Sequence, residues 1–238
     1  MRNHSKLIAF SSAALVAASL FLIPSTAHAA TDRYISVSAT GTVKVKPDAV
    51  RLNMTVSNVA STSAIALSTN NSSASKVREA LTSNGIVAQY IKSTSVTTYP
   101  EYNYTSSGGS TLVGYRASQT FDIVIRNAAN AGIIVDAVVA AGGDLLSVNG
   151  VTPFVYDDTA ATQSARTDAV KKAKAKASSY AKLLGVKLGS VVFLEESSGS
   201  NPYPVVMAMA KSDAGATTVD LGQQDVTVSV STKWSISG

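Results

Sequence analysis

The longest clean alternation of apolar and polar residues runs from Leu112 to Arg126. Val113, Tyr115, Ala117, Phe121, Ile123 and Ile125 fall on one face with Gln119 as its only polar member, while Gly114, Arg116, Ser118, Thr120, Asp122 and Arg126 fall on the other. A strand with one apolar and one wet face belongs to an antiparallel or mixed sheet with helices on a single side. The register predicts a buried Tyr115, with Arg116 on the opposite face pairing with Asp122 or a helix-end carboxylate.

Around this strand the chain resolves into alternating periods. Ile35–Val45 alternates as a strand with Gly41 at a bulge or close contact, Pro47-Asp48 turns the chain, and Val50, Leu52, Met54 and Val56 resume the pattern, so the two strands read as a hairpin. Between Ser61 and Asn84 the period lengthens, with Leu67, Asn70, Ala74, Val77 and Leu81 on one stripe and Asn84-Gly85 as a stop. Asn70 on that stripe reads as a satisfied structural amide rather than a ligand contact. Ile91–Tyr99 is a strand leading into a hairpin tip over 100–110, where Tyr99, Tyr102 and Tyr104 form either a binding surface or a cover for the sheet edge. Asn127 caps a helix over Ala128–Ala141, and Leu145–Phe154 is a further strand. Val50–Phe154 therefore reads β-α-β-β-α-β, the split-βαβ or ferredoxin-like order, within an α+β fold.

The longest helix is capped by Asp157 or Asp158 and reaches Leu184, with a narrow stripe of Ala165, Ala169, Ala173, Ala177, Tyr180 and Leu184 suited to close packing. Its basic residues, Arg166, Lys172 and Lys174 among them, are candidate polyanion contacts, although a solvated helix face is the commoner meaning of such a run. Val191–Glu196 reads as a strand, 197–223 as an insertion and Val226–Ile236 as the last strand. Within the insertion Val205, Val206, Met207 and Met209 form an apolar patch that suggests a packed flap or a subunit contact. Together with the strand edges left by the ends of the chain, it predicts a homo-oligomer with an interface over 200–212.

Composition narrows the chemistry. Arg2 and Lys6, the apolar run Leu7–Ile23 and Ala27-His28-Ala29 read as a secretion signal over 1–29, leaving a mature domain over 30–238. His4 and His28 are the only histidines and cysteine is absent, so the mature chain has no Ser-His-Asp or Cys-His nucleophile, no Cys or His zinc site, no histidine-ligated haem and no disulfide. No cofactor or metal is expected, nor a stable membrane span, because no later stretch reads as long and apolar enough. Losing Arg2 and Lys6 lowers the net charge from +5 by two, too mild a balance to indicate nucleic acid. Paired carboxylates remain for catalysis. Glu195 and Glu196 are strand neighbours on opposite faces, however, and helix capping already accounts for Asp157 and Asp158.

Ala39-Thr-Gly41 with Val45-Lys-Pro47-Asp48, Asn70-Asn71, Gly85-Ile86, Val113-Gly-Tyr-Arg-Ala-Ser118, the Ala- and Lys-rich helix from Asp168, and Leu184-Gly185-Val186 occur in an order and spacing that resembles the SIMPL-domain family. Its members are exported bacterial proteins, including periplasmic immunogenic antigens and oxidative-stress-defence proteins. The resemblance covers nearly the whole mature chain and implies a secreted, cell-wall-associated or periplasmic α+β domain. It implies a binding or scaffolding role in the envelope, possible self-assembly and a part in stress tolerance, and it brings no catalytic residues to transfer. A carboxylate-dependent hydrolase of cell-wall material and a polyanion-binding module stand as the alternative readings.

Overall fold

The computed structural model describes residues 33–104, 108–200 and 217–238, with no side chains described at 198–200. The expected signal segment and the patch Val205, Val206, Met207 and Met209 lie outside these residues. The elements are β1 (Tyr34–Val45), β2 (Ala49–Ala60), α1 (Ser63–Ser83), β3 (Ile91–Tyr104), β4 (Ser110–Ile125), α2 (Ala131–Gly142), β5 (Leu146–Phe154), α3 (Thr159–Leu183), β6 (Lys187–Ser200) and β7 (Gln224–Ser237). They build an α+β fold with two antiparallel sheets, ordered β3-β4-β2-β5 and β1-β7-β6.

The second sheet corrects the expected hairpin of β1 with β2. β1 pairs instead with β7, in an unbroken register from Tyr34↔Ser235 to Val45↔Gln224. The turn between β1 and β2 is tied elsewhere: Asp48 accepts the amide of Ala128 at its carbonyl (3.1 Å) and the amide of Tyr156 at Oδ1 (2.8 Å). Residues 46–48 therefore pass the chain from one sheet to the other. A second correction concerns β6, which runs to Ser200, well past Glu196, because the backbone of 197–200 pairs with β7 as far as Ser200↔Val226.

Each sheet has its own core. α1 and α2 cover one face of the four-stranded sheet, burying Leu52, Met54, Phe121 and Ile123 of the strands against Val77, Leu81, Ile134 and Val138 of the helices. α3 lies on the three-stranded sheet through Ala165, Ala169, Ala173, Ala177 and Ala181, which face Val37, Val228, Val230 and Trp234. Side chains this small let the helix backbone approach closely, and at Gly41 it does. A Cβ there would fall on the Ala165 carbonyl and 2.5 Å from the Ala169 amide nitrogen. Since Gly41↔Val228 sits in an unshifted register, this is a close contact and not a bulge.

Along β4 the face assignment holds from Ala117 to Ile125, all odd positions being buried. Further out it fades. Tyr115 is only half-buried and Val113 is exposed, both short of the burial expected for them. The reason is length: 16 strand residues span roughly 50 Å, whereas the 21-residue α1 spans roughly 30 Å and begins only at Ser63. The outer end of the β3–β4 hairpin therefore extends beyond the helix layer. Arg116 pairs neither with Asp122 nor with a helix end. Tyr99↔Arg116 and Glu101↔Gly114 are paired, so Glu101 is its diagonal neighbour on the same face and binds it through both carboxylate oxygens.

Asn70 is fully buried and its amide donates to the carbonyls of Val56 on β2 (2.8 Å) and Ala117 on β4 (3.3 Å), the structural role expected of it. Asn70→Leu removes both bonds at a buried site and is expected to cost about 1–3 kcal/mol, read as a lower urea midpoint with an unchanged m-value.

Residues 128–145, comprising α2 and its short flanking turns, are apolar and long enough to span a bilayer by length and composition, contrary to the expectation from sequence. The regular helix within them is 12 residues, and Ile134, Val135 and Val138 are buried on the sheet. An ordinary span needs about 20 residues.

Candidate functional site

The tyrosines expected on a hairpin tip stand on β3 itself, which corrects their placement. Alternation puts Tyr99 on the face of Arg116 and Glu101, and puts Tyr102 and Tyr104 on the other, with ring centroids 6.4 Å apart. The three are exposed, Tyr104 by 76%. Val96, Leu112 and Val113 are exposed on the same hairpin, so its outer half presents both aromatic and aliphatic surface. Among the described residues β3 hydrogen-bonds to β4 alone and forms an edge of its sheet.

Arg166 and Lys172, two of the candidate polyanion contacts, do not lie on one surface of α3. Arg166 forms a two-pronged pair with Glu196 of β6 (2.7 and 2.8 Å), while Lys172 binds Asp168 (2.7 Å) and the Thr40 carbonyl of β1 (3.3 Å). β6 and β1 are opposite edges of the sheet, so these two side chains reach to opposite flanks of the helix. Lys174 is exposed, with no ion pair or hydrogen bond among the described residues.

The candidate carboxylates are likewise separated. Glu196 is held below the usual carboxylate range by Arg166. Asp157 accepts the Thr159 amide (3.0 Å) and is lowered chiefly by that residue, so it supplies the cap that Asp158, one residue later, does not. Asp158 lines a cavity of about 150 Å³ between the sheets with Arg51, Phe154 and Gln224. Among the described residues, neither this cavity nor the larger ones over the helices is lined by two carboxylates.

A cluster that sequence reading missed lies where β4 ends. The Arg126 guanidinium sits 3.4 Å from the ring centroid of Tyr156 and donates to the Tyr90 hydroxyl (2.8 Å), and the two rings meet edge to face at 6.3 Å. The Tyr90 hydroxyl is drawn below the ordinary tyrosine range, first by the Tyr156 side chain and then by Arg126; Tyr156 is raised, chiefly by Tyr90. Beside the cluster is a cavity of about 310 Å³ between the end of α1, the start of α2 and the sheet. Its members are at least 30 residues apart in sequence, so no local motif marks it. The one available signal was a cation closing the polar face of β4.

Residues 35–234 match the family model named SIMPL, described as a protein of unknown function (DUF541). The chain is 32% identical over 182 residues to the 26 kDa periplasmic immunogenic protein of Brucella melitensis biotype 1, covering 73% of this chain and 70% of that protein. It is 30% identical over 182 residues to the uncharacterized protein YggE of Escherichia coli strain K12, covering 76% and 72%. A YggE protein of Edwardsiella ictaluri is 34% identical over 161 residues, covering 66% and 65%.

Proposed function

The chain belongs to the SIMPL family, and from that membership we propose that it is an exported, non-catalytic protein of the cell envelope that binds or scaffolds as a homo-oligomer. The periplasmic name of the Brucella relative supports the location. The observation that carries the reading is the outer half of the β3–β4 hairpin, where Tyr102, Tyr104, Leu112 and Val113 stand exposed beyond the helix layer on an edge of the sheet. Open edges and exposed apolar side chains are the features that a second copy or an envelope component covers. Edge strand β6 adds Val191, Val192, Phe193 and Leu194, also exposed. We extend the proposal to a role in stress tolerance on the family resemblance alone. We also read the β2–β5 half as a ferredoxin-like unit, supported by its order β3-β4-β2-β5 and by two helices on one face.

Light scattering on the mature chain at tens of micromolar, with Tyr102→Ser/Leu112→Ser and Val206→Ser/Met209→Ser variants, tests assembly. The hairpin variant is expected to lose mass, and the second variant reports on the 200–212 interface. A monomeric wild type refutes assembly.

A further inference from the structure

We propose that the cavity between the end of α1 and the start of α2 binds a small apolar monocarboxylate, its body against Ile86, Ile125 and Ile134 and its carboxylate on Arg126. About 310 Å³ is at the low end of the usual range for small-molecule sites, roughly 300–1,000 Å³. The three isoleucines are at most 7% exposed and belong to the α1–α2 core, so the floor is apolar and preformed.

At the rim Arg126 is exposed but held in a fixed orientation. Stacking on Tyr156 and the bond to Tyr90 fix its plane, which limits the side-chain entropy that ligand binding would otherwise cost. Among the described residues no carboxylate forms an ion pair with it. The two acids close enough to act on it, Asp48 and Asp157, hold the amides of Tyr156 and Thr159. Among the described residues its N–H groups engage the side chains of Tyr90 and Tyr156, and a guanidinium carries five N–H donors, so others remain for the two-pronged geometry that carboxylates favour. Asn130 lines the same cavity with a side-chain amide that makes no cap hydrogen bond and can donate to the same anion. A cation fixed over an apolar floor selects for both parts of the ligand at once.

The experiment is calorimetric titration of the mature protein with octanoate, below its aggregation concentration, beside octanamide and acetate. Single-site binding of octanoate is expected, with octanamide and acetate each at least about tenfold weaker, since a charge-assisted bond and a buried alkyl chain each contribute on that scale. Arg126→Gln is expected to weaken octanoate about tenfold or more while leaving octanamide within about twofold. Ile134→Phe, which fills the floor without touching the charge, is expected to weaken both. Amide shifts confined to 84–90 and 124–134 locate the site, and circular dichroism verifies that each variant is folded. No octanoate binding, equal affinity for octanoate and octanamide, or an unchanged affinity in folded Arg126→Gln would each overturn the assignment. Light scattering is read separately, so neither oligomeric outcome bears on this result.

Discussion

Gly41→Ala is expected to destabilise the protein by about 1–3 kcal/mol, and Gly41→Val by about 3 kcal/mol or more, at a position that touches no cavity and no proposed ligand. The cost arises on both sides of one added carbon. Its neighbours would be the Ala165 carbonyl and the Ala169 amide, both backbone atoms inside a regular helix, so no side-chain rotation can make room. α3 would have to lift from the three-stranded sheet, opening the contact of the alanine stripe with Val37, Val228 and Trp234. Single Trp234 reports on this directly: it is 8% exposed and its indole donates to Thr232 (2.9 Å), so its emission should red-shift as α3 moves away. Equilibrium urea unfolding followed by tryptophan emission checks both effects. A Gly41→Ala variant with an unchanged midpoint would mean that the helix sits further from the sheet than described.

The alternation of β4 and most of the spacing of α1 and α3 were legible because each depends on local periodicity and on which face meets a core, but Leu67 of α1 and Tyr180 and Leu184 at the end of α3 stand exposed where the stripes predicted burial, with Ala66 and Ala181 buried in their place. Partner choice was not. β1 and β2 alternate alike and adjoin a Pro-Asp turn, so local pattern favours a hairpin. The contacts that decide otherwise come from β7, some 190 residues away, and from the amides of Ala128 and Tyr156 on Asp48. Strand ends were hidden for another reason. Ser197 to Ser200 is a small polar run that reads as loop, yet its backbone pairs with β7, and ladder bonds leave no trace in side-chain identity. The tyrosines were found, but not their faces, because the side-chain pattern ends the strand at Tyr99 while its backbone pairs on to Tyr104. The Arg126 cluster combines three distant chain segments and could not have been assembled from spacing.

Phe121→Ala is expected to cost about 3–5 kcal/mol, the usual range for a large aromatic removed from a core. Phe121 is the largest fully buried side chain among the described residues, beneath α1, where the Arg78 guanidinium lies 4.8 Å from its ring centroid. Leu112 belongs to the same strand but stands 46% exposed beyond the helices. Leu112→Ala should therefore cost less than about 1 kcal/mol, because little apolar surface leaves water there on folding. Tyr115, half-buried between them, should fall between them when changed to alanine. Such a gradient along one strand separates residues that hold the fold from residues that the fold leaves open. If Leu112→Ala proved as costly as Phe121→Ala in the monomer, the outer hairpin would be part of the core, and its exposed side chains could not serve as a docking surface. If the cost of Leu112→Ala rose with protein concentration while that of Phe121→Ala stayed constant, stability at the hairpin would be coupled to assembly, as mass action requires of an interface.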